Sequence, residues 1–236
     1  MLPQTTLHIR QTAAGKGRHA IRLTLRRPGQ PDLEGEATIR IDTIDSNTQI
    51  HPATADRWSD LEALFGPHGA SGGCWCMWWR LRRTEFKRLA EPEKRDLLHA
   101  LTGQTPAPGV LAYVDGKPVG WCAVGPREHF HALEDSRTLK RVDDQPVWAI
   151  VCYFVARGYR RRGLMLALLR GAVDYARSQG ATIVEGYPTD LQAPKLDGKK
   201  LTGAAGYMGI ASAFRAAGFV EVGRASETQL IMRYTL

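Results

Sequence analysis

The stretch Val147-Trp-Ala-Ile-Val-Cys-Tyr-Phe-Val-Ala-Arg-Gly-Tyr-Arg-Arg-Arg-Gly-Leu-Met165 decides the fold. Val147 to Val155 is apolar throughout, without polar alternation, which is the pattern of a strand covered on both faces. A turn containing Gly158 and Gly163 leads straight into a helical pattern. Leu164, Leu168, Gly171 and Tyr175 fall on one stripe, and Gly180 marks its stop. Thr182 to Tyr187 is the next strand, ended by Pro188. A strand–helix–strand crossover predicts a parallel pair. The helix start also carries chemistry. Its first backbone N–H groups lack intrahelical partners and present partial positive charge, and Arg157, Arg160, Arg161 and Arg162 surround them. That is an anion site suited to a pyrophosphate; the alternative reading is a basic surface turn. No G-x-x-x-x-G-K-[ST] occurs, and Gly203, Gly206 and Gly209 follow no strand at dinucleotide-binding spacing.

Upstream, Val110–Val114 and Val119–Val124 flank Asp115-Gly116, a hairpin signal. Arg83 to Leu101 reads as one or two helices, interrupted near Glu91-Pro92. A further helix opens at Thr54, with Trp58, Leu61, Leu64 and Phe65 on one face. Downstream come a Gly-rich loop, a short helix over Ile210–Ala217, and strands over Val220–Gly223 and Gln229–Leu236. The first 47 residues differ: period-2 patterns in TTLHIRQ, HAIRLTLRR and EATIRID predict a three-stranded meander. The boundary falls near Asp45 to Thr48, giving a β-rich extension over 1–47 and a main domain over 48–236. The extension has three open roles: covering a sheet edge, shaping the acceptor cleft, or forming the contact of a homodimer.

The 236 residues are 43% hydrophobic and 24% charged, a globular balance able to bury a sizeable core. No apolar run is long enough to span a membrane or serve as a signal peptide. The net charge of +8 favours anionic partners: phosphorylated cofactors, acidic substrates or nucleic acid. Four cysteines in a chain this long are no disulfide framework, so the expectation is a reduced, cytoplasmic protein.

Arg160-Arg-Arg-Gly163-Leu-Met165 resembles the acetyl-CoA signature [R/Q]-x-x-G-x-[G/A] of the GNAT acetyltransferase superfamily, departing from it at Met165. The apolar strand before it, the strand after it and Phe214-Arg-Ala-Ala-Gly218-Phe219 follow the family's order of elements. Gly73-Cys-Trp-Cys-Met-Trp-Trp-Arg80 is similar to a bacterial subgroup of the family. The resemblance covers about Ile50 to Leu236. It implies an α/β fold with a mixed, mostly antiparallel sheet, a central splayed parallel strand pair and flanking helices. It implies acetyl-CoA as cofactor, with Arg160 opening the cofactor-binding signature and the pyrophosphate on the N–H groups of Arg161, Arg162, Gly163, Leu164 and Met165. Its pantetheine arm would pair with Phe154 and Val155.

The implied activity is N-acetylation of a primary amine by direct attack in a ternary complex. A small-molecule amine is the expected acceptor, with a peptide or tRNA amine as alternative. A non-catalytic CoA- or nucleic-acid-binding module on the same scaffold is the reading from another class; a nucleic-acid partner is not expected, because the arginines concentrate at the cofactor loop. Something must accept the amine's proton, and Glu185, a carboxylate inside an apolar strand, is the candidate; the alternative reading is a strand-end residue paired with one of the many arginines. Many members protonate the leaving thiolate with a tyrosine four residues before the Gly-Phe pair, but Phe214 stands there. Tyr187, Tyr207 and Ser212 are the candidate replacements. Trp75, Trp78 and Trp79 read either as a substrate-facing wall or as core, Cys152 as core, and the basic stretch Arg80 to Arg95 as a solvated face. His68, Cys74 and Cys76 lack metal-site spacing, and no metal is expected.

Overall fold

The computed structural model describes residues 6–15, 18–26, 31–39, 47–196 and 206–236. The boundary read at residues 45–48 and the Gly-rich loop over 197–205 fall largely outside them. The chain divides into two compact units, Met1–Thr43 and Ile44–Leu236. The first is an antiparallel meander of β1 (Thr6–Gly15), β2 (Arg18–Arg26) and β3 (Leu33–Ile39), in the order β1-β2-β3.

The second unit runs β4 (Thr48–Pro52), α1 (Trp58–Phe65), α2 (Arg83–Arg88), α3 (Glu91–Thr102), β5 (Gly109–Val114), β6 (Lys117–Pro126), α4 (His131–Glu134), β7 (Trp148–Val155), α5 (Leu164–Ser178), β8 (Ile183–Gly186), α6 (Ala211–Ala216), β9 (Val220–Ser226) and β10 (Gln229–Thr235). Its seven strands form one sheet in the order β4-β5-β6-β7-β8-β10-β9. Every pairing is antiparallel except β7 with β8. This is the mixed, mostly antiparallel architecture with a central parallel pair that the sequence predicts. Two elements escape the sequence reading, the edge strand β4 and the single-turn helix α4 inside a charged loop.

Local chemistry accounts for the elements that build the site. Asp115 and Gly116 take positive φ, 50° and 72°, as a two-residue hairpin turn demands, and join β5 to β6. Helix α5 starts directly after Gly163, which has φ 75°, and buries Leu164, Leu168, Leu169, Ala172, Val173 and Ala176. Gly171 lets it approach the sheet: a Cβ there would stand 2.4 Å from Ile50 Cγ2. The helices α5 and α6 cover one sheet face, where Ile150, Tyr153, Val184, Phe214 and Phe219 join the core. On the other face α1, α3, α4 and the Trp75–Met77 segment pack with Trp121, Ala149, Val151 and Tyr187.

The parallel pairing is short. Only Trp148, Ala149 and Ile150 pair with β8, opposite Val184, Glu185 and Gly186. At Val151 the register of β7 against β6 shifts, with Ala123 opposite Cys152 and Val124 opposite Ile150, so Val151 is an extra residue in β7. Beyond that bulge β7 and β8 part. The segment Gly206–Ile210 bridges the gap: the Tyr153 N–H donates to the Tyr207 carbonyl at 2.6 Å, and the Thr189 N–H to the Gly209 carbonyl at 3.0 Å.

Candidate active site

Two features meet at the splayed end of β7. The first is the turn into α5. Arg157, Arg160, Arg161 and Arg162 are all exposed around it. Arg161 and Gly163 both have positive φ, 62° and 75°, and the helix begins without a side-chain cap on its first N–H groups. Arg160 Nε donates to the Val155 carbonyl at 3.0 Å, tying the turn to the strand end. Left-handed backbone, uncapped helix N–H groups and four cations form a cradle for a diphosphate, so the residues present suit the phosphate end of a coenzyme A thioester. Strand alternation presents the Val155 N–H on the same edge of β7 as the Tyr153 N–H.

The second feature is a cavity of about 600 Å³ on the α1 side of the sheet. Cys152 and Phe154 of β7, Trp121 of β6, Phe65 of α1 and Cys74, Cys76, Trp78 and Trp79 of the loop before α2 line it, with Tyr207 and Met208 at the bridging segment. The described lining contains no Asp, Glu, His, Lys or Arg. Trp78 and Trp79 therefore do face a pocket, whereas Trp75 is core, 3% exposed. Both outer indoles already hold a cation: the Arg83 guanidinium lies 3.7 Å from the Trp78 ring centre and 5.0 Å from that of Trp79.

The candidate catalytic residues separate. Tyr207 lines the cavity. Ser212 is exposed on α6 and is not among the lining residues. Glu185 is fully buried away from the cavity with both oxygens engaged. Its Oε1 accepts from Arg127 Nη1 at 2.9 Å and the Tyr187 hydroxyl at 2.7 Å; its Oε2 accepts from Arg233 Nε at 2.7 Å. Arg127 continues to Glu134 at 2.6 Å, and Arg233 to Asp143 at 2.7 Å. Such a carboxylate neutralises two buried guanidinium groups and offers nothing to an incoming amine. Tyr187 belongs to the same network, its hydroxyl pushed well above the usual value by burial and by the neighbouring Glu185. Phe214 is fully buried against Gly186 and Gly209, where a Cβ on either glycine would collide with its ring.

Two further sequence readings need correction. The stretch Arg80–Arg95 is not a solvated face throughout: Arg80 and Lys94 are 6% and 8% exposed. Their partners explain this, since Arg80 stacks over Phe130 at 4.6 Å and Lys94 lies 4.1 Å from the Phe86 ring centre. Cys152 is half-buried and lines the cavity together with Cys76, and is not plain core. Among the described residues no cluster of three His, Cys, Asp or Glu side chains has metal-binding geometry, and no helix is long and apolar enough to cross a membrane.

No curated protein matches the chain. Solved structures similar to it include the acetyltransferase of the GNAT family from Streptococcus pneumoniae, at 12% identity and TM-score 0.43, covering 80% of this chain and 99% of that one. YncA from Salmonella typhimurium, solved with its cofactor acetyl-CoA, shares 16% identity at TM-score 0.42 and covers 81% and 95%. PaiA N-acetyltransferase from Thermoplasma acidophilum, in complex with coenzyme A, shares 11% at TM-score 0.44 and covers 80% and 99%. Likenesses this distant carry no argument about chemistry. Residues 75–194, half of the chain, match the Acetyltransferase (GNAT) family, with the strand, cradle and helix inside the match. The chain thus belongs to the GNAT acetyltransferase family, and the protein is an acyltransferase with acetyl-CoA as its cofactor.

Proposed function

We propose that the protein transfers the acetyl group of acetyl-CoA to the primary amine of a small molecule, by direct attack of the amine while both substrates are bound. The observation that carries this reading is the cavity that ends at the splay of β7. At about 600 Å³ it has the volume of a small-molecule site, and its wall is largely aromatic. The backbone N–H groups of residues 160–165 would hold the diphosphate, and the edge of Phe154 and Val155 the pantetheine arm. Acetyl-CoA supplies an activated thioester. The residues of this chain orient it, exclude water around the carbonyl and present backbone N–H groups of β7 to the developing oxyanion. Protonation of the departing thiolate is the smaller demand, because a thiol's ordinary pKa, about 8.5, lies within reach of neutral pH. Tyr207 is the hydroxyl at hand in the cavity.

The lining narrows the acceptor. With no carboxylate in it and Arg83 stacked on its outer tryptophans, a polycationic amine meets no counter-charge. An amine carried on a flat apolar body fits the wall better than an amino sugar. The test is thermal unfolding with excess acetyl-CoA, run beside ATP and NAD, followed by thiol release with a panel of arylalkyl amines, polyamines and amino sugars. A ligand at about 100 times its Kd adds about 2.7 kcal/mol, a shift of several degrees. A shift specific to acetyl-CoA and turnover led by the apolar amines are expected. Equal shifts with every polyphosphate would reduce the arginine turn to a basic patch.

A further inference from the structure

With Glu185 enclosed in its ion pairs, the acetyl transfer proposed above lacks a proton acceptor, and the cavity wall supplies one. The ionisable side chains of the described lining are Cys74, Cys76, Cys152 and Tyr207. Among these, Cys76 has surroundings built for negative charge. Its Sγ accepts the indole N–H of Trp121 at 3.2 Å. The buried guanidinium of Arg80 acts on it from the same loop. Arg80 donates to the Pro108 carbonyl at 2.7 Å, its Nε has no partner, and among the described residues no carboxylate pairs with it. A buried cation without a carboxylate favours negative charge beside it, and the charge of Arg80 favours the ionised Cys76 thiol. Trp75 and Cys76 both adopt positive φ, 44° and 58°, a left-handed turn uncommon for side-chain-bearing residues and typical of functional sites.

The remaining titratable neighbours agree. Cys152, on β7, lines the same cavity as Cys76; its thiol, with Trp121 and Arg80 aiding it, outweighs burial and draws the Cys76 thiol below its ordinary value. The same contact, with burial, pushes Cys152 well up, and burial pushes Cys74 up. Cys122 on β6 is raised by burial. His129 lies near Arg80, whose charge, after burial, holds its imidazole down. The α1 carboxylates are engaged elsewhere, Asp60 with the Tyr113 hydroxyl and Glu62 with Arg95.

We propose that Cys76, as its thiolate, accepts the proton that the acceptor amine loses when it attacks the acetyl thioester. The inference rests on the acetyl-transfer reading above. The amine nitrogen forms the N–C bond and the C–S bond breaks. The ammonium proton passes to Cys76 Sγ and from there to the departing sulfur of coenzyme A. The products are the acetamide and free coenzyme A, and Cys76 ends as it began.

The test starts without any substrate. Absorbance at the thiolate band is titrated for the full chain and for Cys76→Ser; a step below the ordinary thiol range, missing from the variant, is expected. With acetyl-CoA and an accepted amine, Cys76→Ser is expected to lower kcat/KM by about 100-fold or more and to abolish the acidic limb of the pH–rate profile. Its Kd for acetyl-CoA should stay the same. Cys152→Ala serves if Cys76→Ser fails to fold: loss of the neighbouring thiol should move the titration step and the acidic limb together to higher pH. Absence of a Cys76 step below the ordinary thiol range, or an unchanged limb in a folded variant, overturns the proposal. So does an acetyl group found on Cys76 and discharged by amine, which would make the thiol a nucleophile. Failure of the acetyl-transfer reading looks different: no acetyl-CoA-specific thermal shift, with the titration step intact, which removes the reaction and the proposal with it.

Discussion

At the scale of single residues, burial decides which charges are structural. Glu185 is the anion between Arg127 and Arg233 in the apolar interior. Removing one member of a buried ion pair leaves the others unsatisfied, a loss of about 3 kcal/mol. Glu185→Gln is therefore expected to lower the urea midpoint strongly. A variant of unaltered stability with a flattened pH–rate profile would return Glu185 to the chemistry. The sequence marks this residue as unusual, a carboxylate in an apolar strand. Its partners stand 58 and 48 residues away, so only the folded chain distinguishes an ion pair from a base. Cys76 and Arg80 were hidden for the matching reason. Arg80 sits in a basic run, and no periodicity shows which member of such a run turns inward.

At the scale of elements, strand β7, its turn and helix α5 were legible because they are contiguous: one apolar run, one turn, one amphipathic stripe. Edge strand β4 was not, since its five residues include a proline and pair with β5, about sixty residues downstream. Two glycines carry predictions here. Gly163, at φ 75°, opens α5; Gly163→Val would strain that turn by about 1–2 kcal/mol and fill the cradle. Calorimetry should show acetyl-CoA affinity lost while far-UV circular dichroism stays native; unchanged affinity would detach the cofactor from this turn. For Gly171, helix propensity and packing oppose each other. Alanine gains up to about 1 kcal/mol in a free helix, but here its methyl group would overlap Ile50. Overpacking costs about 1–3 kcal/mol, so Gly171→Ala should lower Tm, and Gly171→Ala with Ile50→Ala, which removes the overlapping Cγ1 and Cγ2, should lose less than the two single substitutions add up to.

At the scale of the whole molecule, the +8 charge conceals carboxylates that hold the second unit together. Burial disfavours the Glu134 carboxylate, but hydrogen bonds from Arg127 and Arg141 outweigh it and hold the group below its ordinary 4.5; Arg233 holds Asp143 below 3.8. A carboxyl depressed in the folded state stabilises the fold above its unfolded pKa, and that contribution fades as pH falls through the folded one. Unfolding free energy should therefore be level above about pH 5 and decline below it, with Asp143→Asn showing the shallower decline. The cavity draws on segments from Phe65 to Gln229, which explains why composition and motif point to the cofactor and not to the acceptor.

The bridge between the parted strands has a consequence in time. The Tyr207 carbonyl holds the Tyr153 N–H on the same edge of β7 that the pantetheine arm would use. A donor that used this edge would wait on a conformational escape of Gly206–Ile210. In stopped-flow mixing, the observed rate should level off as acetyl-CoA concentration rises, at a ceiling set by the opening of this segment. Tyr207→Gly, which loosens the segment while retaining the carbonyl, should raise that ceiling; a rate that climbs linearly to the highest concentration would mean that the gap admits the donor as it stands.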